Sequence, residues 1–187
     1  MDDHDPSVVA LVGSPHRRGN TAFAVEVAVA ELERRGVRCQ TVMLCDLAGS
    51  LIGDGQGGHI EALLDDVWRA DGLILATPVC FCNVSAQMKA FMDRTNERYE
   101  TGRWLVPRVV GLLAIGAHGG FTETVAAMRR YLDLMAPSHP PIEVATGHAD
   151  AQGEARRSQE IRRAAIAMAA RLADLLRGAG PGGSSQA

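Results

Sequence analysis

Apolar and polar positions along the chain alternate between two periods. Val8-Val9-Ala10-Leu11-Val12 is a short unbroken apolar run closed by Gly13, the pattern of a strand buried on both faces. From Thr21 to Arg35 the period becomes helical: Ala22, Val25, Val29 and Leu32 share one face, Glu26 and Glu33 lie off it, and Gly36 stops the run. Val37 to Leu44 alternates as a second strand, Ile60 to Arg69 forms a second helix, and Leu73-Ile74-Leu75-Ala76 is a third buried strand. Ser85 to Arg98 is a third helix, Val109 to Ile115 a fourth strand, Thr122 to Met135 a fourth helix and Ile142 to Ala145 the last strand. Ile161, Ala165, Met168, Leu172 and Leu175 supply the apolar stripe of a closing helix.

Five strands alternating with five helices predict one α/β domain, a parallel sheet covered on both faces through right-handed crossovers. No repeat or linker divides it. Gly53 to Gly58 is a glycine-rich loop without an assigned role, and Pro181 to Ser185 reads as a frayed tail. With 187 residues, 47% of them apolar and 22% charged, the chain is long enough for a substantial core. A net charge of −3 gives no electrostatic reason to expect nucleic acid or an anionic membrane as partner. Lys89 is the single lysine, so the arginine richness reflects composition before it reflects phosphate recognition. No apolar run is long enough to span a bilayer, and the acidic start from Met1 to Asp5 is the opposite of a secretory signal, so a cytoplasmic location is expected. Cys39, Cys45, Cys80 and Cys82 contain no C-x-x-C pair; reduced thiols are expected, and no metal site.

In an open parallel sheet, ligands bind beyond the carboxyl ends of the strands, near the point where strand order reverses. Three loops there are unusual. Gly13-Ser14-Pro15-His16-Arg17-Arg18-Gly19-Asn20-Thr21 runs from a strand end into a helix N-terminus, where unpaired N–H groups favour an anion. Ser14 and Thr21 add hydroxyls, Asn20 an amide, and Arg17 or Arg18 a charge, a set suited to one phosphate without metal. The spacing fits neither G-x-x-x-x-G-K-[ST] nor G-x-G-x-x-G. The alternative is a plain turn capped by Asn20 or Thr21. Thr77 to Ser85 follows the third strand: Pro78 ends the pairing, and Val79, Cys80 and Phe81 either receive a flat aromatic ligand or simply pack beneath the loop. Gly116-Ala117-His118-Gly119-Gly120 permits close backbone approach to a ligand, with His118 either an acid–base group or a solvent-facing one.

Together these motifs resemble the NADPH-dependent FMN reductase family of the flavodoxin superfamily. Gly13 to Thr21 matches its G-S-P-x-x-x-G-N-T, and Thr77 to Arg94 is close to its T-P-V-Y-F-x-x-V-S-A-Q-L-K-A-F-L-D-R. Gly119-Gly120 with Glu123 matches the third loop, and the similarity runs from Val8 to about Val144. The resemblance implies a flavodoxin-like three-layer sandwich of strand order 2-1-3-4-5. Residues 1–7 would then be a flexible N-terminus, 8–177 the FMN-binding domain and 178–187 a disordered tail. It implies that Ser14, His16, Arg17, Gly19, Asn20 and Thr21 surround the phosphate of non-covalent FMN. By the same likeness, Pro78, Val79, Cys80, Phe81 and Asn83 line the isoalloxazine, and Ala117, His118 and Gly119 approach its pyrimidine edge. Lys89 and Asp93 match family positions too, but an i,i+4 surface pair accounts for them.

The implied activity passes hydride from NADPH or NADH through FMN to a small electron acceptor: a quinone, free flavin, azo compound or metal ion. Such a scheme needs no catalytic side chain from the protein. The family also implies a homodimer. Competing readings are a flavodoxin-type electron carrier and a tailoring enzyme of narrow substrate range. Two departures matter. Cys80 stands where the family has tyrosine, with Cys82 in place of a small residue, and Cys45 to Gly58 lacks the four-cysteine cluster of the superfamily's iron–sulfur flavoproteins.

Overall fold

Five strands pair in the order β2-β1-β3-β4-β5, every neighbour parallel, in a computed structural model that describes residues 5–47, 49, 51 and 58–178. They are β1 (Ser7–Val12), β2 (Arg38–Met43), β3 (Gly72–Pro78), β4 (Val109–Gly116) and β5 (Ile142–His148). Helices α1 (Asn20–Arg34), α2 (Gly58–Arg69), α3 (Ala86–Arg94), α4 (Asn96–Glu100), α5 (Phe121–Met135) and α6 (Gln159–Gly178) cover the sheet, with 3-10 turns at Leu44–Leu47 and Glu154–Arg157. Residues 53–57 of the glycine-rich loop, and the tail from Pro181 to Ser185, lie outside the described residues. Residues 1–4 of the expected flexible N-terminus lie outside the described residues, and its last residue belongs to β1. Ser7 already pairs with Arg38 and donates its N–H to Asp71 Oδ2 at 2.8 Å.

Alternation along the strands sends successive side chains to opposite faces. Val8, Ala10, Val12, Ile74 and Ala76 pack beneath α1 and α6, against Leu32, Met168 and Leu172. Val9, Leu11, Leu73 and Leu75 meet the other layer through Leu64, Met88, Phe91 and Met128. Each such fully buried Leu or Ile contributes about 1.5–3 kcal/mol relative to exposure. β4 is buried at all its positions, whereas β2 at the edge is half-exposed. Gly36 stops α1 as expected. At φ 80° it donates to Glu33 O, while Val37 N reaches Leu32 O, an arrangement that favours glycine.

One predicted helix is two. Ser85 to Arg98 breaks at Thr95, whose hydroxyl bonds back to Met92 O at 2.6 Å. Beyond the break Arg98 is drawn inward. It lies 2.8 Å from Asp65 and 3.3 Å from Glu61, with its guanidinium 4.7 Å from the Trp68 ring centre. The long-range attraction of α2 for Arg98 carries no sequence period, so the break is invisible to periodicity.

A second ionic cluster fastens α1 to α6. Glu31 accepts from Arg34 at 2.8 Å and Arg35 at 2.5 Å, and Arg35 reaches Asp174 at 3.2 Å. The Arg34 and Arg35 hydrogen bonds pull the Glu31 carboxyl down to about 2 from an ordinary 4.5. A carboxylate held lower in the folded state stabilises fully above its unfolded value and loses that contribution as pH falls through the folded one. Denaturant melts from pH 5 to pH 2 are therefore expected to show wild type losing stability more steeply between 4.5 and 2 than Glu31→Gln. Parallel slopes would show that Glu31 is not responsible.

Candidate functional site

The carboxyl ends of β1, β3 and β4 are bound into one unit. Gly13 N donates to Ala76 O at 2.7 Å, tying the first loop to β3. Ser85 caps α3 by accepting from Met88 N at 3.1 Å, donates its own hydroxyl to Gly13 O, and donates its N–H to Thr77 Oγ1 at 2.9 Å. Ser85 and Thr77 are fully buried, so this is a low-dielectric joint with every polar group paired. A Cβ on Gly13 would fall 2.9 Å from both Met88 Cβ and Ser85 Oγ, which explains the glycine. The third loop closes on the second in the same way. A Cβ on Gly116 would strike Val79 Cβ at 2.8 Å, and one on Gly120 would strike Cys82 Cα at 2.8 Å.

The first loop folds on itself. His16 N donates to Ser14 Oγ at 3.1 Å, and Gly19 N to His16 O at 3.1 Å. Gly19, not Asn20 or Thr21, is the N-cap of α1, and no side chain caps it. The first bond of that helix is Phe23 N to Gly19 O at 3.1 Å, so the N–H groups of Asn20, Thr21 and Ala22 precede it and are available to an anion. Arg17 pairs with Asp46 at 2.7 Å, and Arg18 and His16 are exposed. Ser14 and Thr21 are buried at the base of the loop.

Asn20 has an occupation that its place in the motif does not announce. Its amide donates to Ala151 O at 2.8 Å and accepts from Ala155 N at 3.1 Å, lashing the segment after β5 to the start of α1. Glu154 completes that segment by accepting from Asp150 N and Ala151 N, bonds that hold its carboxyl below the ordinary range. A sequence separation of 131 from Asn20 to Ala151 leaves no local signal of this contact.

Cys80 and Asn83 exchange backbone bonds of 2.9 and 3.0 Å, enclosing a tight turn with Phe81 at φ 49° and Cys82 at φ 59°. Two successive non-glycine residues in the left-handed region cost about 1–2 kcal/mol each. The turn holds Phe81 wholly in solvent, at 104% exposure, so it does not pack beneath the loop. Pro78 and Val79 are half-buried, and Val79 N donates to Ile115 O at 2.8 Å. Cys80 is exposed, and partial desolvation raises its thiol above the usual range. Asn83 is exposed, with its Oδ1 receiving Val84 N at 2.8 Å. In the third loop Ala117 and Gly119 are half-buried while His118 is exposed, and Gly119 and Gly120 adopt φ of 94° and 77°. Lys89 and Asp93 form the expected helix-surface pair.

A parallel sheet of order 2-1-3-4-5 with three joined loops at its carboxyl end defines a flavodoxin-like nucleotide-binding protein. The family model for NADPH-dependent FMN reductase matches residues 6–151, and the chain belongs to that family of oxidoreductases, with FMN and NADPH as its cofactors. An iron–sulfur flavoprotein of Methanocaldococcus jannaschii is 30% identical over 136 residues, 66% of this chain and 70% of the relative. The FMN reductase (NADPH) of Pseudomonas putida is 29% identical over 106 residues, 56% of this chain and 54% of that enzyme. Among solved structures, the apo form of an NADH:FMN oxidoreductase covers 96% of this chain and is itself covered to 92%, with TM-score 0.72 and 21% identity, a likeness of fold.

The joint at Gly13 sets the spacing of the whole mouth. Gly13→Ala is expected to cost about 1–3 kcal/mol from overpacking, read as a lower Tm, and to weaken FMN binding with it. An unchanged Tm would show that Met88 and Ser85 yield without loss.

Proposed function

We propose that this chain is a cytoplasmic, homodimeric FMN-dependent reductase that takes hydride from NADPH or NADH and delivers electrons to a small acceptor. The acceptor class is a quinone, flavin, azo compound or metal ion. The observation that carries the reading is the meeting of the three loops with the open N–H groups at the start of α1. Bound there, FMN supplies the hydride and electron chemistry, and the protein supplies position and surroundings.

The fit of the residues to FMN rests on the first loop. Ser14, His16 and Gly19 make a closed ring in which a Cβ on Gly19 would lie 3.2 Å from Ser14 Oγ. The ring leads into the N–H groups of Asn20, Thr21 and Ala22, donors suited to a phosphate dianion. Arg18 adds positive charge at the rim, where Arg17 pairs with Asp46, and Thr21 is buried below. Pro78, Val79 and Cys80 form the wall for the ring system, and Ala117, His118 and Gly119 offer backbone donors to its polar edge. Asn83 and Phe81 are exposed on the turn, where Phe81 would border the flavin face left to nicotinamide and acceptor. Cys80, exposed at the start of the turn, would present its thiol to that wall. No side chain is assigned as a catalytic acid or base.

Titration of FMN and riboflavin into apo-protein tests the phosphate assignment. Hydrogen bonds to a charged group are worth about 1.5–3 kcal/mol each, so FMN is expected to bind at least about tenfold tighter than riboflavin. Asn20→Ala serves as the control. Because its amide is committed to Ala151 and Ala155, it should lower Tm and weaken both flavins in the same proportion. Equal affinities in wild type would move the phosphate elsewhere, and bound flavin that NADPH and NADH both fail to bleach would favour an electron carrier.

The cysteine arrangement bears on the iron–sulfur relatives. Cys39 lies in β2, Cys45 in the following 3-10 turn, and Cys80 opens the turn after β3 that contains Cys82; among the described residues no three His, Cys, Asp or Glu groups are placed to hold a metal. Thiolate ligation of a cluster needs more sulfurs in one place. Protein purified without oxygen is expected to lack stoichiometric iron and acid-labile sulfide. Finding them would overturn this reading of the thiols.

A further inference from the structure

The segment that follows β5 is held at both ends by loops proposed for the flavin. Ala149 N donates to Gly116 O at 3.0 Å, at the start of the third loop. Further on, the Asn20 amide receives Ala155 N at 3.1 Å and donates to Ala151 O at 2.8 Å, at the first turn of α1. Ala149 and Ala155 are buried, whereas Asp150, Ala151 and Gln152 between them are exposed. Residues 149–155 thus form a strap between the third loop and the first. Its origin has no slack, because a Cβ on Gly147 would lie 2.4 Å from Ile161 Cγ1 at the start of α6.

Glu154 keeps the strap folded. Its Oε2 accepts from Asp150 N at 2.7 Å and Ala151 N at 2.9 Å, and its own N–H donates to Ala151 O at 3.2 Å. One residue therefore holds Ala151 by its N–H and by its carbonyl, and that carbonyl is the one Asn20 uses. Gly153, at φ 80°, supplies the left-handed turn that brings Glu154 back over the preceding residues. The only apolar side chains of the strap are alanines, which have little area to bury, so hydrogen bonds set its shape. Without the carboxylate, the Asp150 and Ala151 N–H groups turn to water, and their backbone regains the freedom that folding removed.

We propose that Glu154 is a positioning residue for the flavin: by clamping the strap between Gly116 and Asn20, it holds the third loop in place for the flavin ring. This rests on the flavin site of the proposed function. The N–H groups of Asn20, Thr21 and Ala22 belong to α1 whether or not the strap is ordered. Slackening the strap therefore acts on the third loop, and on the ring that FMN and riboflavin share. Such coupling is reciprocal, so bound flavin must also order the strap.

Titration of FMN and riboflavin into apo-protein well below its Tm separates position from stability, because a fully folded chain binds no better for being more stable. Glu154→Ala is expected to weaken both flavins by about three- to tenfold. Glu154→Gln keeps an oxygen acceptor for the two N–H groups and should restore most of that loss. The double variant of Asn20→Ala and Glu154→Ala should bind no more weakly than the poorer single variant, since both break one strap. Hydrogen exchange on wild type gives the reverse reading. Bound FMN should slow the Asp150 and Ala151 amides more than those of α2, which packs on the other face of the sheet. Unchanged affinity in Glu154→Ala, a loss confined to FMN, additive effects, or strap amides that ignore flavin would overturn the role of Glu154 and leave the flavin site standing. Should Glu154→Ala fail to fold, exchange on wild type decides alone. A wild type that binds neither flavin would overturn both.

Discussion

The structure hangs on the hydroxyl of Ser85. It caps α3, donates to the Gly13 carbonyl at the end of β1, and sits beside the Thr77 hydroxyl that receives its own N–H. One buried side chain thus ties the consecutive β3 and α3 to β1, 72 residues away in sequence. A buried polar group stabilises when all its partners are present and penalises their loss, so such a joint specifies one geometry. Gly13 is the other half of the constraint, because the capped end of α3 approaches β1 too closely for a side chain there.

From that joint the rest of the mouth follows. The first loop must leave Gly13 in the direction the joint permits, and it closes through Ser14, His16 and Gly19 before α1 begins. The second loop departs from Thr77, and its turn at Cys80–Asn83 rests against the glycines of the third. Asn20 and the segment from Asp150 to Ala155 brace the far side, making a fourth loop part of the assembly. Rigid supports of this sort suit a protein that contributes position more than chemistry to its reaction. Among the described residues, no helix is long and apolar enough to cross a membrane.

The strained turn gives the second loop two faces. On the inner side Val79 and Cys82 meet Gly116 and Gly120; on the outer side Phe81 is held in water at an energetic cost. Strain of this kind persists only where surrounding structure imposes it. Here the imposing parts are the Cys80–Asn83 backbone pair and the close approach of Cys82 to Gly120.

What was legible in the sequence came from short-range periodicity. The strands from Val8, Leu73 and Val109 are buried on both faces and therefore read as unbroken apolar runs, and Gly36 and Pro78 punctuate where their backbones require it. The parallel α/β architecture and the three loops at its carboxyl end were determined in that way, and the motifs from Gly13 and Thr77 carried the family. Other features depended on partners far along the chain. Asn20 reads as a phosphate ligand or a helix cap, yet its amide bonds a segment more than a hundred residues away, and Gly19 takes the cap position. Thr95 breaks a continuous helical pattern, and beyond it Arg98 meets Asp65 and Glu61. Phe81 reads as wall or packing, but the left-handed turn puts it in solvent. Local period records which face of an element is buried; only tertiary structure decides which hydrogen-bond and ionic partners meet, because their pairing depends on distances across the fold.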